Sequence, residues 1–277
     1  YWRGGTKLAP LVRGGQQQRR LRPGTEAVHQ IVGLGAAARL AAGRMAQVWR
    51  RLAELRHEAV AGLRMLWPSV RINEAPSPWQ LPGTISATFP GISALSLLAG
   101  LDYRGVEVSL GAACTSQRIE PSHVLLGMGL GDDDARSTIR ISMGSATARG
   151  DVGRLLAALK SVLAGDPPNL SWLPPEQLTA GRLREAFVID LRLAYERAIT
   201  PGIPQARCWP NIGFESHFGQ IPRSREVILV CSTGVFSFEA GYRLALAGHP
   251  AVRVVRGGYG ALCATCPQLL AELARAG

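Results

Sequence analysis

The stretch Val227-Ile-Leu-Val-Cys231-Ser-Thr-Gly234-Val-Phe-Ser237 puts a thiol where a strand gives way to a helix. The four apolar residues ahead of the cysteine read as a buried strand, and the residues from Phe238 to Ala247 read as a helix. Between them lies a loop with Cys231 at its first position, Gly234 in its middle and hydroxyls at Ser232, Thr233 and Ser237. A loop that ends at a helix start offers unpaired backbone N–H groups and the positive end of the helix dipole. Sulfur held there as an anion is stabilised and can act as a nucleophile. A cysteine at a strand end is also a common inert core residue, and spacing alone leaves both readings open.

Other reactive groups are scattered along the chain. The long polar stretch from Leu110 to His123 carries Cys114 and is too polar to be mere connection. Gly24-Thr25 precedes a helical run, where a hydroxyl and free N–H groups can hold a phosphate or simply cap the helix. Cys263-Ala-Thr-Cys266 has the spacing of a dithiol, but no second ligand pair accompanies it to suggest a metal site. Cys208 reads as structural, and His217 and His249 as ordinary satisfied or exposed histidines.

These groups need a scaffold. From residue 26 to about residue 67 apolar residues recur at helical spacing, as one long helix or two in series. Beyond Pro68, strand-like alternation at residues 70–73, 84–89, 106–109 and 137–142 is interleaved with helical runs at 93–100, 122–127 and 151–163. That order predicts a compact α/β layer. The segment from Gly165 to Pro175 holds four prolines and reads as a linker. The expected organisation is therefore 1–165, a linker at 166–175, and a second domain at 176–277.

Composition narrows the function classes. The net charge is +11, yet Lys7 and Lys160 are the only lysines and the arginines are spread among Ala, Gly and Leu. This reads as a compositional bias rather than a nucleic-acid footprint, so specific nucleic-acid binding is not expected. No apolar run is long enough to span a bilayer, and the first residues do not form a signal peptide. Five dispersed cysteines fit reduced thiols in a cytoplasm better than a disulfide framework.

The Cys231 loop resembles the active-site loop of rhodanese-type sulfurtransferases. Three further motifs occur in that family's order: Val188-Ile-Asp190-Leu-Arg192, Gly202-Ile203-Pro204-Gln205-Ala206 and Arg256-Gly257-Gly258-Tyr259. The resemblance implies Cys231 as the sulfur carrier, with Ser232, Thr233, Gly234, Val235, Phe236 and Ser237 forming its pocket. Loops that use thiosulfate usually carry Arg where Ser232 and Phe236 stand, which implies weaker attraction for a dianionic donor.

The first 165 residues resemble part of a cysteine desulfurase of the class V aminotransferase family, which uses pyridoxal phosphate. The carrying motifs are Gly14-Gly15 through Gly24-Thr25, Val28-His-Gln-Ile-Val-Gly-Leu-Gly35, Ser109-Leu-Gly-Ala-Ala-Cys114-Thr-Ser, Glu120-Pro-Ser-His-Val124 and Ser137-Thr-Ile-Arg140-Ile-Ser-Met-Gly144. The implied fold is the small C-terminal α/β domain of a fold-type I pyridoxal-phosphate enzyme with a long linking helix. A rhodanese-like α/β domain with a central parallel sheet follows. By the same resemblance Cys114 receives sulfur as a persulfide, Arg140 holds the substrate carboxylate, and Gly24 and Thr25 meet the cofactor phosphate across a homodimer interface.

The family's Schiff-base lysine segment does not occur in this sequence, so the chain looks like the second half of a desulfurase, a fragment or a remnant. It is not expected to hold the cofactor covalently or to desulfurate cysteine alone. The implied function is a relay from Cys114 to Cys231 and on to a sulfur-acceptor protein. An iron–sulfur scaffold, a tRNA-thiolation protein and a cofactor-biosynthesis protein remain open as that acceptor. The competing reading is a non-catalytic dimerisation and interaction module.

Overall fold

A computed structural model describes residues 3–75, 79–110, 121–165, 167–200 and 202–276. The chain divides into two compact units, Tyr1–Arg51 and Leu52–Gly277. A segment with a 3-10 turn at Gln18–Arg20 precedes the helix α1 (Val28–Leu66), which runs as one helix rather than two. No described residue of the first unit is buried, whereas Leu55, Ala59, Val60 and Leu63 of the same helix are. The helical spacing thus holds throughout α1, but only its last turns pack against a core.

Among the described residues the second unit contains two sheets. The first has the order β1-β2-β4-β3 and is antiparallel throughout. Its strands are β1 (Arg71–Ile72), β2 (Thr84–Thr88), β3 (Ser109–Leu110) and β4 (Thr138–Ser142). Helices α2 (Ala94–Asp102), α3 (His123–Gly127), α4 (Asp132–Arg136) and α5 (Arg149–Leu163) intervene or follow. Ile85, Ala87, Phe89, Ile139 and Ile141 pack against α1, α2 and α5 in one core. The strand expected at 106–109 is displaced to Ser109–Leu110. The Val106 N–H closes the end of α2 by donating to the Leu101 carbonyl at 3.0 Å, which removes it from any ladder.

The second sheet is parallel, with the order β5-β9-β8-β6-β7. The strands are β5 (Leu170–Leu173), β6 (Phe187–Asp190), β7 (Arg207–Cys208), β8 (Val227–Val230) and β9 (Val252–Val255). They are interleaved with α6 (Ala180–Glu185), α7 (Ala194–Ile199), α8 (Val235–Leu246), α9 (Gly258–Thr265) and α10 (Pro267–Ala276). Four residues of the proline-rich stretch thus form an edge strand, because its prolines flank the strand and leave its ladder N–H groups free. All four β8 residues are fully buried, as expected when helices cover both faces of a parallel sheet. Val227 and Leu229 face a core with Phe238 and Tyr242 of α8, and Ile228 and Val230 face one with Leu183, Tyr259, Leu262 and Leu273.

One helix serves both sheets. Leu97 and Leu101 of α2 belong to the antiparallel core, while Leu95 and Ala99 belong to the core with Leu170, Tyr242 and Ala245. Gly100 is the closest approach: a Cβ there would lie 2.7 Å from Val162 Cγ2 and 3.0 Å from the Tyr242 hydroxyl. At the rim of this contact Arg243 bonds Asp102 and Glu215, each at 2.6 Å.

Candidate functional site

Cys231 follows the last residue of the central strand β8, and α8 begins at Val235 rather than after Ser237. The helix starts early because Gly234 takes the left-handed conformation at φ 92° and its carbonyl receives the Phe238 N–H at 3.0 Å. Ser237 therefore sits in the first helical turn, with its N–H turned back toward the sulfur.

Cys231 Sγ accepts the Gly234 N–H at 3.1 Å and the Ser237 N–H at 3.4 Å. The Ser237 Oγ lies 3.3 Å from the sulfur and donates to the Gly234 carbonyl at 3.1 Å. With its proton so used, that oxygen can accept the thiol proton. The site thus offers two N–H donors and the start of a 12-residue helix to negative charge on sulfur. Cys231 is 2 % exposed and Ser237 fully buried, whereas Phe236 stands out at 56 %.

The other side of the loop is fixed by the start of α9. Tyr259 N–H donates to the Cys231 carbonyl at 2.7 Å and Gly260 N–H to the Ser232 carbonyl at 3.0 Å. Gly258, at φ 62°, lies so close that a Cβ would stand 2.3 Å from the Cys231 carbonyl oxygen and 2.6 Å from Gly234 N. The Gly257-Gly258 turn seen in the sequence is thus the backbone support of the Cys231 loop. Beneath it Asp190 and Arg192 form a buried pair at 2.8 Å, with the guanidinium 3.8 Å from the centre of the Tyr259 ring. Burial opposes the Arg192 cation, but its bonds to Asp190 and the charges of Asp190, Tyr259 and Glu196 outweigh that and raise its pKa. Burial also raises the Tyr259 phenol, against the pull of Arg192.

The sequence did not single out Glu196. Its carboxylate accepts the Ser232 hydroxyl in a short hydrogen bond and the Leu193 N–H at 2.8 Å. A glutamate three residues into α7 is a recognisable helix-start signal, but nothing local to it points toward Ser232. Thr233 Oγ1 stands 3.5 Å from the Val235 N–H.

The remaining sequence-predicted residues are dispersed. Arg140 is half-buried in the middle of β4, across from Ser86 and Ser109, and donates to Ser109 Oγ at 3.2 Å. Gly24, at φ 102°, and Thr25 belong to the first unit, where Arg22 donates to the carbonyls of both. Cys114 lies outside the described residues. Cys263 is exposed, and the half-buried Cys266 donates to the Pro175 carbonyl at 3.3 Å. Among the described residues no cluster of His, Cys, Asp or Glu could hold a metal, and no helix is long and apolar enough to cross a membrane.

A five-stranded parallel sheet that presents a cysteine loop at a helix start, joined to an antiparallel sheet with a long helix, defines a two-part α/β protein. Residues 6–155 match the aminotransferase class-V family and residues 175–265 the rhodanese-like domain. The chain belongs to the class-V aminotransferase family and carries a rhodanese-like domain after that region. It is 36 % identical over 177 residues to a cysteine desulfurase IscS of Methanosarcina thermophila, covering 64 % of this chain and 43 % of that protein. A solved NifS-like protein aligns at a TM-score of 0.51 and 32 % identity, over 59 % of this chain and 41 % of its own. A NifS-like protein from Rickettsia africae aligns at 0.50 and 28 %, over 58 % and 41 %. The chain spans about two fifths of the length of these relatives.

Proposed function

We propose that this chain transfers sulfane sulfur through cysteine persulfides, with Cys231 as the carrier thiol. The observation that carries this reading is the pair of backbone N–H groups, from Gly234 and Ser237, directed at the Cys231 sulfur. They stabilise a thiolate before transfer and a persulfide anion after it. The thiolate attacks the outer sulfur of a donor persulfide, a new S–S bond forms at Cys231, and the donor's S–S bond breaks to release its thiolate. The sulfane sulfur leaves by the same exchange with an acceptor protein's thiol, and no net oxidation occurs.

In this reading Cys114 is the upstream donor, by its likeness to the desulfurase motif. The organisation proposed is a desulfurase-derived region over 1–165 and a rhodanese-like region over 176–277, with a homodimer formed through the former.

Pyridoxal phosphate serves the class-V family, but the residues here fit only part of a site for it. Arg140 can meet a carboxylate, and Gly24 with Thr25 can meet a phosphate. Lys7 and Lys160 are both exposed, where a hydrated ammonium lacks the desolvation that a Schiff-base lysine requires. Desulfuration by this chain alone is not expected.

The near-complete burial of Cys231 favours the alternative of a non-catalytic interaction module. Mass spectrometry with alkylation and peptide mapping, after incubation of the reduced chain with a small persulfide or thiosulfate, separates the two. One added sulfur on Cys231, lost in Cys231→Ser, is the expected result. An unmodified Cys231 beside reacting control thiols would refute the carrier role.

A further inference from the structure

The loop that holds Cys231 lacks an arginine at position 232, and the Ser232 hydroxyl points instead into the carboxylate of Glu196. Glu196 makes no ion pair among the described residues. The nearby Arg192 is committed to Asp190 by two nitrogens, and Arg197 donates to the Arg192 carbonyl at 2.6 Å. Asp190 neutralises Arg192 as a buried pair, and Glu196 acts on Arg192 through its charge without a bond to it. Among the described residues, the carboxylate bonded to Ser232, the residue after Cys231, has no ion-pair partner of its own. The backbone N–H groups stabilise an anion on the sulfur whatever the donor is, so they do not discriminate between donors. Discrimination then falls to the carboxylate that holds Ser232, the residue after Cys231.

We infer that Glu196 is a specificity-determining residue: through Ser232 it places a negative charge at the Cys231 loop that selects sulfur donors with a neutral or cationic group beside the sulfane sulfur and disfavours dianions. This rests on the reading of Cys231 as the carrier thiol. The donor class is a thiol persulfide flanked by an amine or by uncharged groups, as on a basic or neutral protein segment. Thiosulfate and carboxylate-flanked persulfides belong to the disfavoured class. The transfer itself is unaltered: Cys231 thiolate takes the outer sulfur and the donor leaves as a thiolate, with charge and atoms conserved.

A matched pair of donors isolates charge from chemistry. Cysteamine persulfide carries an ammonium and 3-mercaptopropionate persulfide a carboxylate, on chains of similar length. Initial rates of sulfur uptake at Cys231 are measured by quenched-flow alkylation and mass spectrometry on the full chain and on Glu196→Gln and Glu196→Asp. A unit charge acting over several ångströms of partly hydrated protein predicts a wild-type preference for the cationic donor that Glu196→Gln narrows roughly three- to tenfold. Glu196→Asp keeps most of the preference, since it keeps the charge. Raising salt narrows the wild-type ratio too, a response that a purely structural role for Glu196 would not give. A ratio unchanged by both Glu196→Gln and salt overturns the inference while leaving the carrier role intact. If Glu196→Gln does not fold, a salt-insensitive wild-type ratio is enough to overturn it. Absence of uptake from either donor removes the carrier role and this inference together.

Discussion

Arg140 lies in the middle of an antiparallel strand, whereas Cys231 lies just beyond the end of a parallel one. In the antiparallel sheet the groups expected to act together are far apart in sequence: Gly24 and Thr25 belong to another compact unit, and Cys114 lies outside the described residues. In the parallel sheet the sulfur, its two N–H donors and its hydroxyl neighbour all fall within residues 231–237, and α9 adds the support from one adjacent turn. A parallel sheet delivers each strand end to a helix start, so one loop can hold a complete anion site. An antiparallel strand offers side chains to a site that other segments must finish.

The sharpest way to break this comparison is at Gly258. Its missing Cβ and left-handed backbone keep the Cys231 loop in place without touching the sulfur. Gly258→Ala should lower the rate of persulfide uptake at Cys231 by about a hundredfold, the order seen when preorganised backbone donors are lost. The antiparallel sheet should keep its circular-dichroism and exchange signature. Uptake at the wild-type rate would mean that the loop is not supported from α9.

Gly100→Ala tests whether the two sheets stand or fall together. The added methyl would crowd Val162 on one side and Tyr242 on the other, at a cost of about 1–3 kcal/mol. One calorimetric transition, shifted downward as a whole, is expected if α2 couples the sheets. Two transitions, with only one displaced, would show them to be independent.

The smallest effect belongs to the parallel sheet alone. Hydrogen bonds from Arg182, together with the charges of Arg182 and Arg253, outweigh burial and hold Glu226 below the ordinary glutamate value of 4.5. The folded state therefore favours the ionised form. Its contribution is present above 4.5 and is lost as pH falls through the lowered folded value. Glu226→Gln should flatten the decline of Tm in that acid range, and an unaltered slope would assign the acid sensitivity to other groups.

The parallel region was the more legible in sequence for the same reason that its site is compact. Val227–Val230, Cys231, Gly234 and the Gly257-Gly258 turn are short-range signals, and the structure brings them together as a strand, the loop after it and the turn packed against that loop. The early start of α8 is not legible locally because Val235 and Ser237 are weak helix formers, while the left-handed turn at Gly234 overrides propensity. Strand β5 was hidden by its flanking prolines, which lie outside the paired residues. In the antiparallel region, α1 and the strands at 84–88 and 138–142 followed their periodicity. What no local pattern could reveal was long-range: Glu196 reaching Ser232, and α2 burying opposite faces against two cores.

That last feature bears on inheritance. In a helix with one wet face, solvent-side positions drift freely, and the domain can be copied, lost or traded without its neighbour. With Leu95 and Ala99 on one side and Leu97 and Leu101 on the other, α2 has no such face to spare. A lineage that shed the parallel sheet would leave an adhesive apolar strip on the survivor, and the shed piece would carry the matching one. With α2 interior to both cores the two halves do not part cheaply, and separating them at this join would require compensating polar substitutions along the helix.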